Sequence, residues 1–216
     1  MMAFDLPGHG RSADWDDTRD YSQLSAEIAE SFCEQPMELI GHSFGATVAL
    51  RLAATRPDLV TRLTLIEPVF FAAAIARGGQ VVEDHERLFA PFVKAIEAGD
   101  RTAAAHVFTD IWGTGQRWED IPQRQRDYLA DRIHLIPAQT AGIYDDNAGL
   151  LRTCALEKIC CQVLLVEGGK SPAIIGAILN ALEPRFENVR RIDVAGAGHM
   201  VPITHPLAVA AAIQDV

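Results

Sequence analysis

The stretch "LIGHSFGATVALRLA", from Leu39 to Ala53, constrains the fold more than any other. An apolar, strand-like run stops at Gly41-His42-Ser43-Phe44-Gly45, and an Ala- and Leu-rich helical pattern starts at once. A strand that turns directly into a helix leaves its turn residue projecting from the carboxyl edge of the sheet. Such a turn is tight. Glycines two residues before and two after Ser43 are expected to relieve its crowding. The Ser43 hydroxyl is then exposed beside the free N–H groups of a helix N-terminus, with the Phe44 N–H as the expected oxyanion donor.

The rest of the chain alternates between strand and helix. Met1–Asp5, Met37–Ile40, Leu63–Ile66, Gln162–Val166 and Val189–Val194 read as strands. Leu24, Ile28 and Phe32 recur at helical spacing, and Ala46–Thr55, Ile174–Leu182 and Pro206–Ile213 read as helices. This alternation predicts an α/β fold with a mainly parallel sheet. From Phe70 to about Thr153 the rhythm breaks. Helical patterns such as Leu88, Phe92, Ile96 and Tyr128, Ile133, Ile136 replace it, without a convincing buried strand. The expectation is a core of residues 1–69 and 154–216 with a helical lid insertion over 70–153. At 216 residues, 49% of them apolar, the chain is long enough for one large core.

A formal net charge of −10 argues against nucleic acid or an anionic membrane as the main partner. No apolar run approaches the roughly 18 residues of a membrane span, and no basic start leads into an apolar core. Four cysteines, Cys160 and Cys161 adjacent, suit reduced thiols in a cytoplasmic protein better than a disulfide framework. Rival motifs fail. Gly169-Lys170-Ser171 lacks the first glycine of a phosphate loop, which would stand at Leu164. Gly196-Ala197-Gly198 has Val201 where a dinucleotide turn needs its third glycine. No Cys/His spacing suggests zinc. No cofactor or metal is expected, and the partner is a small-molecule substrate.

A serine nucleophile needs a base, and the base an orienting carboxylate. Among seven histidines, His199 in "VAGAGHMVPITHP" follows the last strand in a glycine-rich loop able to carry the imidazole over Ser43. His42 adjoins the serine, but in a tight turn its ring should point elsewhere; with Trp112 and Trp118 of the insertion it is a candidate for the substrate pocket. His85, His106 and His134 have no evident partner in the sequence. The apolar insertion suggests a small to medium hydrophobic ester or related carbonyl substrate.

Three stretches, "FDLPGHGRS" (Phe4–Ser12), "IGHSFGATVALRLA" (Ile40–Ala53) and "GAGHMVPITHP" (Gly196–Pro206), together resemble the α/β-hydrolase superfamily in its lid-bearing, esterase-like branch. The resemblance implies a nucleophile elbow at Ser43 and a catalytic histidine at His199. It departs from the family in two places. Where members usually carry aspartate in a G-x-x-D-P pattern, this chain reads Gly168-Gly169-Lys170-Ser171-Pro172. Some members carry the acid after the strand that follows the nucleophile helix, which here is Glu67 in "LIEP". Asp145, Asp146 and Glu167 are the alternatives. Members also begin with further strands and a histidine-glycine turn that supplies a second oxyanion donor. The start at Met1 is therefore expected to be internal to the family pattern, and one missing donor costs ~100- to 1000-fold in turnover. The expected function is a serine hydrolase working through an acyl-enzyme. The alternative is a truncated, catalytically impaired hydrolase fold acting as a binding protein.

Overall fold

A computed structural model describes residues 2–214. Helix α1 (Tyr21–Ser31) leads into strand β1 (Met37–His42), and helix α2 (Phe44–Thr55) follows it with a single residue between. Next come β2 (Val60–Ile66) and five helices, α3 (Phe71–Ile75), α4 (Gln80–Glu97), α5 (Arg101–Trp112), α6 (Gln123–Arg132) and α7 (Thr140–Ile143). The chain closes with β3 (Gln162–Gly168), α8 (Ala173–Leu182), β4 (Val189–Val194), α9 (Val201–Thr204) and α10 (Pro206–Gln214). Among the described residues the strands form one sheet in the order β1-β2-β3-β4, with every neighbouring pair parallel.

Side-chain alternation divides the core across the sheet. Leu63 and Leu65 of β2, with Val163 and Leu165 of β3, face Leu50 and Ala53 of α2 and Ile175 and Ile178 of α8. The alternate residues Ile66, Leu164 and Val166 face Val201, Val209 and Ala212 of α9 and α10. The two central strands are thus covered on both sides, which explains their near-continuous apolar runs. β1 lies at an edge, and its Ile40, opposite Thr64, stays half exposed.

The expected first strand does not form. Met1 lies outside the described residues, and residues 2–5 pair with no strand. A strand needs a ladder partner, and Asp5 serves the following turn instead. Its carboxylate accepts the Arg11 N–H at 3.0 Å, and its carbonyl accepts the Ser12 hydroxyl at 2.5 Å. The buried Tyr21 hydroxyl fastens this turn to α1 by donating to the Pro7 carbonyl at 2.9 Å.

Between β2 and β3 the described residues form helices and turns and no strand. α3, Ile143, Leu150 and Leu156 belong to the main core, whereas Phe92, Ala104, Ala105, Trp118, Ile121 and Ile133 form a separate cluster among α4, α5 and α6. The buried stripe of α4 differs from the one anticipated. Leu88 points outward, and His85 and Phe92 are the buried side chains. Tyr128 is also exposed, with the Arg132 guanidinium 3.8 Å above its ring. No helix among the described residues is long and apolar enough to cross a membrane.

The two glycines that flank Ser43 are not equivalent. A Cβ at Gly41 would stand 2.3 Å from the Gly45 carbonyl oxygen and 2.6 Å from the Ala46 backbone, whereas one at Gly45 meets nothing within 4 Å. The crowding expected at both positions therefore exists only at Gly41. Gly41→Ala is expected to lower unfolding stability by ~1–3 kcal/mol or prevent folding. Gly45→Ala, inside α2, should leave stability unchanged or raise it by up to ~1 kcal/mol. Urea unfolding of the two variants checks the contrast.

Candidate active site

Ser43 occupies the single residue between β1 and α2, with φ 55° and ψ −123°. This is a left-handed backbone that a side chain rarely adopts, and such strain persists only where its surroundings hold it. Here the ladder holds it, because the Ser43 N–H donates to the Ile66 carbonyl at 2.9 Å. Glu67 repeats the device one strand over. Its φ is 51°, and its N–H donates to the Val166 carbonyl at 2.8 Å. Strand-end turns therefore bring Ser43 and Glu67 side by side at the carboxyl edge of the sheet.

His199 comes from the loop between β4 and α9. Its Nε2 lies 2.9 Å from Ser43 Oγ, and its Nδ1 lies 2.9 Å from Glu67 Oε2. An ionised carboxylate only accepts, so Nδ1 carries the proton and Nε2 offers its lone pair to the serine hydroxyl. Glu67 is 0% and His199 4% exposed. The second carboxylate oxygen of Glu67 accepts the Gly168 N–H at 2.6 Å, so both oxygens of this buried group have partners.

Two contacts fix the loop that carries His199. A Cβ at Gly168 would stand 2.5 Å from the Ala197 carbonyl oxygen and 2.7 Å from that of Gly198. Glycine is therefore what lets the loop lie on the end of β3, where Ala197 accepts the Lys170 N–H at 2.8 Å. From the other side, His42 Nε2–H donates to the His199 carbonyl at 2.8 Å. Burial, reinforced by the nearby His199, lowers His42 from 6.5 to about 4, so it is a neutral donor at neutral pH.

Ser43 and His199 open onto a cavity of about 630 Å³ with largely apolar walls. Trp112 lines it and meets the His199 ring edge-on at 4.8 Å. Phe44 also lines it, and its N–H belongs to the first turn of α2, where no intrahelical acceptor exists. Two sequence candidates lie elsewhere. His42 sits behind His199 and is not among the lining residues. Trp118 is buried in the α4–α6 cluster, stacked on His106 at 5.1 Å, and is also absent from the lining. Its expected place in the pocket is corrected to packing, because its ring is buried within that cluster. Ser171, in the slot where the resemblance leads one to look for an acid, is a buried hydroxyl, while Asp146 is engaged with the N–H groups of Leu150 and Leu151. Glu167 pairs with Arg191 at 2.6 Å.

Sequence reasoning missed His85 and Tyr144. Both line the cavity, and His85 Nε2 lies 2.9 Å from the Tyr144 hydroxyl. They are 59 positions apart. The only available signal was the helical spacing of His85 with Phe89 and Phe92. Among the described residues no group of three or more His, Cys, Asp or Glu side chains is placed to hold a metal ion.

A family model described as the alpha/beta hydrolase family matches residues 2–212. The chain belongs to that family. Lipase LipV of Mycobacterium tuberculosis is 30% identical over 232 aligned positions, which span all of this chain and 82% of that protein. Esterase Rv0045c of the same organism is 27% identical across all of this chain and 73% of its own length. Among solved structures, NosK from Streptomyces actuosus is 26% identical with a TM-score of 0.60, over 98% of this chain and 82% of that one. Cfl2 from Burkholderia cenocepacia reaches a TM-score of 0.72 at 22% identity, over 98% and 76% of the two chains, a likeness of fold. The four-stranded parallel sheet with flanking helices is this family's α/β architecture.

Two histidines with desolvated rings give this hydrolase-family chain an acid sensitivity with a defined sign. His42 and His85 are each lowered from 6.5 to about 4 by burial. The unfolded chain binds their protons first, so their contribution to stability is full above pH 6.5 and is lost as pH falls to about 4. Urea midpoints measured across that range should fall with pH, and His85→Phe should make the slope shallower.

Proposed function

We propose that this chain is a serine hydrolase that cleaves a small to medium hydrophobic ester through an acyl-enzyme. The observation that carries the reading is the continuous hydrogen-bond relay from Glu67 through His199 to Ser43 at the mouth of an apolar cavity. The esterase and lipase relatives support the ester class.

In this reading Ser43 Oγ attacks the ester carbonyl carbon while His199 Nε2 takes its proton. Glu67 holds the Nδ1–H and stabilises the imidazolium. The oxyanion forms beside the Phe44 N–H at the positive end of α2. When the tetrahedral intermediate collapses, His199 returns the proton to the departing alkoxide, and the alcohol leaves. Water then gives a proton to His199 Nε2 and attacks the acyl carbon. A second collapse frees the acid and returns the proton to Ser43. His42 acts through His199 by holding its carbonyl. In this reading residues 70–153 form the lid, of which α3, Ile143 and Leu150 pack into the main core, and Trp112 forms the cavity wall beside the imidazole.

A fluorophosphonate probe should label the Ser43 peptide and no other, and Ser43→Ala should abolish the label. A folded chain that takes no label overturns the reading. Glu67→Gln should lower kcat on a p-nitrophenyl ester by on the order of 1,000- to 10,000-fold with KM little changed, because the amide no longer enforces the Nδ1–H tautomer. Steady-state kinetics against wild type check this.

A further inference from the structure

The cavity beside Ser43 is apolar along most of its wall, and its buried polar lining residues are His199, Gln139 and His85. His85 is only 5% exposed yet lines the cavity, and its Nδ1 has no hydrogen-bond partner. Its Nε2 is engaged by the Tyr144 hydroxyl at 2.9 Å. The ring cannot turn away, because it is stacked between Phe71 at 4.6 Å and Phe89 at 5.7 Å. Tyr144 is held in turn against Phe71 at 4.6 Å. An imidazole and a phenol are thus fixed in an aromatic wall that hydrocarbon side chains would fill without leaving a polar atom unpaired.

The tautomers decide what this pair offers. At neutral pH His85 is uncharged and carries one N–H. If Tyr144 donates to Nε2, the proton sits on Nδ1, a fully buried N–H with no partner and out of reach of the cavity, which is costly. If Nε2–H donates to Tyr144, Nδ1 is a bare lone pair and the phenolic O–H is released beside the cavity that Tyr144 lines. The second arrangement avoids the orphaned N–H, so the Tyr144 O–H is the donor left over in a low-dielectric wall. A plain hydrocarbon chain passing this point leaves that donor unpaired. A chain bearing an acceptor oxygen satisfies it.

The position is close to the chemistry. The Trp112 ring centroid is 4.8 Å from that of His199 and 6.1 Å from that of His85. The cavity continues from His85 along α4 to Ile96 and Glu97, roughly 18 Å of helix at 1.5 Å per residue. A medium-length chain therefore has room both at the polar point and beyond it.

Resting on the ester-hydrolase reading, we infer that His85 and Tyr144 form a polar subsite selecting esters whose medium-length apolar chain carries a second acceptor oxygen, a ketone or hydroxyl, a few atoms from the scissile carbonyl. The oxygen sits in either the acyl or the alcohol part. The chemistry at the subsite is the same, and the experiment separates the two.

The test measures binding, so it does not depend on turnover. Calorimetric Kd values on Ser43→Ala protein are compared for ethyl octanoate and for octyl acetate. Each is set against its keto derivatives, with the ketone moved one carbon at a time. At one position in one series the keto ester should bind about tenfold tighter than its plain parent, the worth of one buried hydrogen bond. In the Tyr144→Phe background, confirmed folded by a cooperative urea transition, the preference should vanish while the plain ester binds as before. His85→Phe, which leaves the hydroxyl without its anchor, should weaken the preference, and His85→Gln, which can still donate to it, should retain more of it. Equal affinities throughout both series, a preference that survives Tyr144→Phe, or no binding of any ester overturns the inference. Failure of the hydrolase reading is read elsewhere, as an unlabelled Ser43 and uncleaved plain esters.

Discussion

The parallel ladder is the constraint on which the site depends. Its hydrogen bonds do not stop where the strands end. They continue for one residue into the turns, where the Ser43 N–H reaches the Ile66 carbonyl and the Glu67 N–H reaches that of Val166. Both residues sit in left-handed backbone, a conformation that costs of order 1–3 kcal/mol each. The ladder offsets that strain and sets both side chains upright at one edge. Parallel pairing places all the strand ends on the same side, so the histidine loop after β4 arrives at that edge too. The relay is therefore a consequence of sheet topology rather than of chain proximity. Its members are 132 and 156 positions apart.

The histidine loop is held from below and from the side. Below it, Gly168 leaves no Cβ to push against the Ala197 and Gly198 carbonyls, and the same residue offers its N–H to Glu67. At the side, His42 gives its one proton to the His199 carbonyl. Glu67 is thus tied to both ends of the assembly, through its N–H to β3 and through its two oxygens to Gly168 and His199. A carboxylate with that many partners can be buried without an unpaired oxygen, which is the condition under which buried charge is tolerated.

Above the edge lies a wall of stacked rings. Tyr144, Phe71, His85, Phe89 and Phe92 follow one another at centroid spacings between 4.5 and 5.7 Å. This stack joins the main core, through Phe71, to the separate cluster of α4–α6, through Phe92. It makes the helices between β2 and β3 part of the cavity wall rather than a loose appendage. It also explains why a histidine is buried there at the expense of its protonated form.

The turn at Ser43, the strands β2 and β3, and the helical character of residues 70–153 were all readable in the sequence, because each depends on local spacing. A glycine beside a strand end, an apolar run of strand length and a 3.6-residue period act over a few residues. Glu67 was readable only by contrast, through Ser171 standing where an acid was expected. Everything that required a partner at a distance was decided by tertiary structure. Residues 2–5 have strand composition but no ladder to join, and so became a brace for a turn. Trp118 has the composition of a pocket residue but lies in the α4–α6 cluster and became packing. The crowding at Gly41 and its absence at Gly45 follow from where α2 departs, which a symmetric motif cannot convey. His85 meets Tyr144 only because α4 and α7 flank the same cavity, a juxtaposition made by packing and by no pattern along the chain.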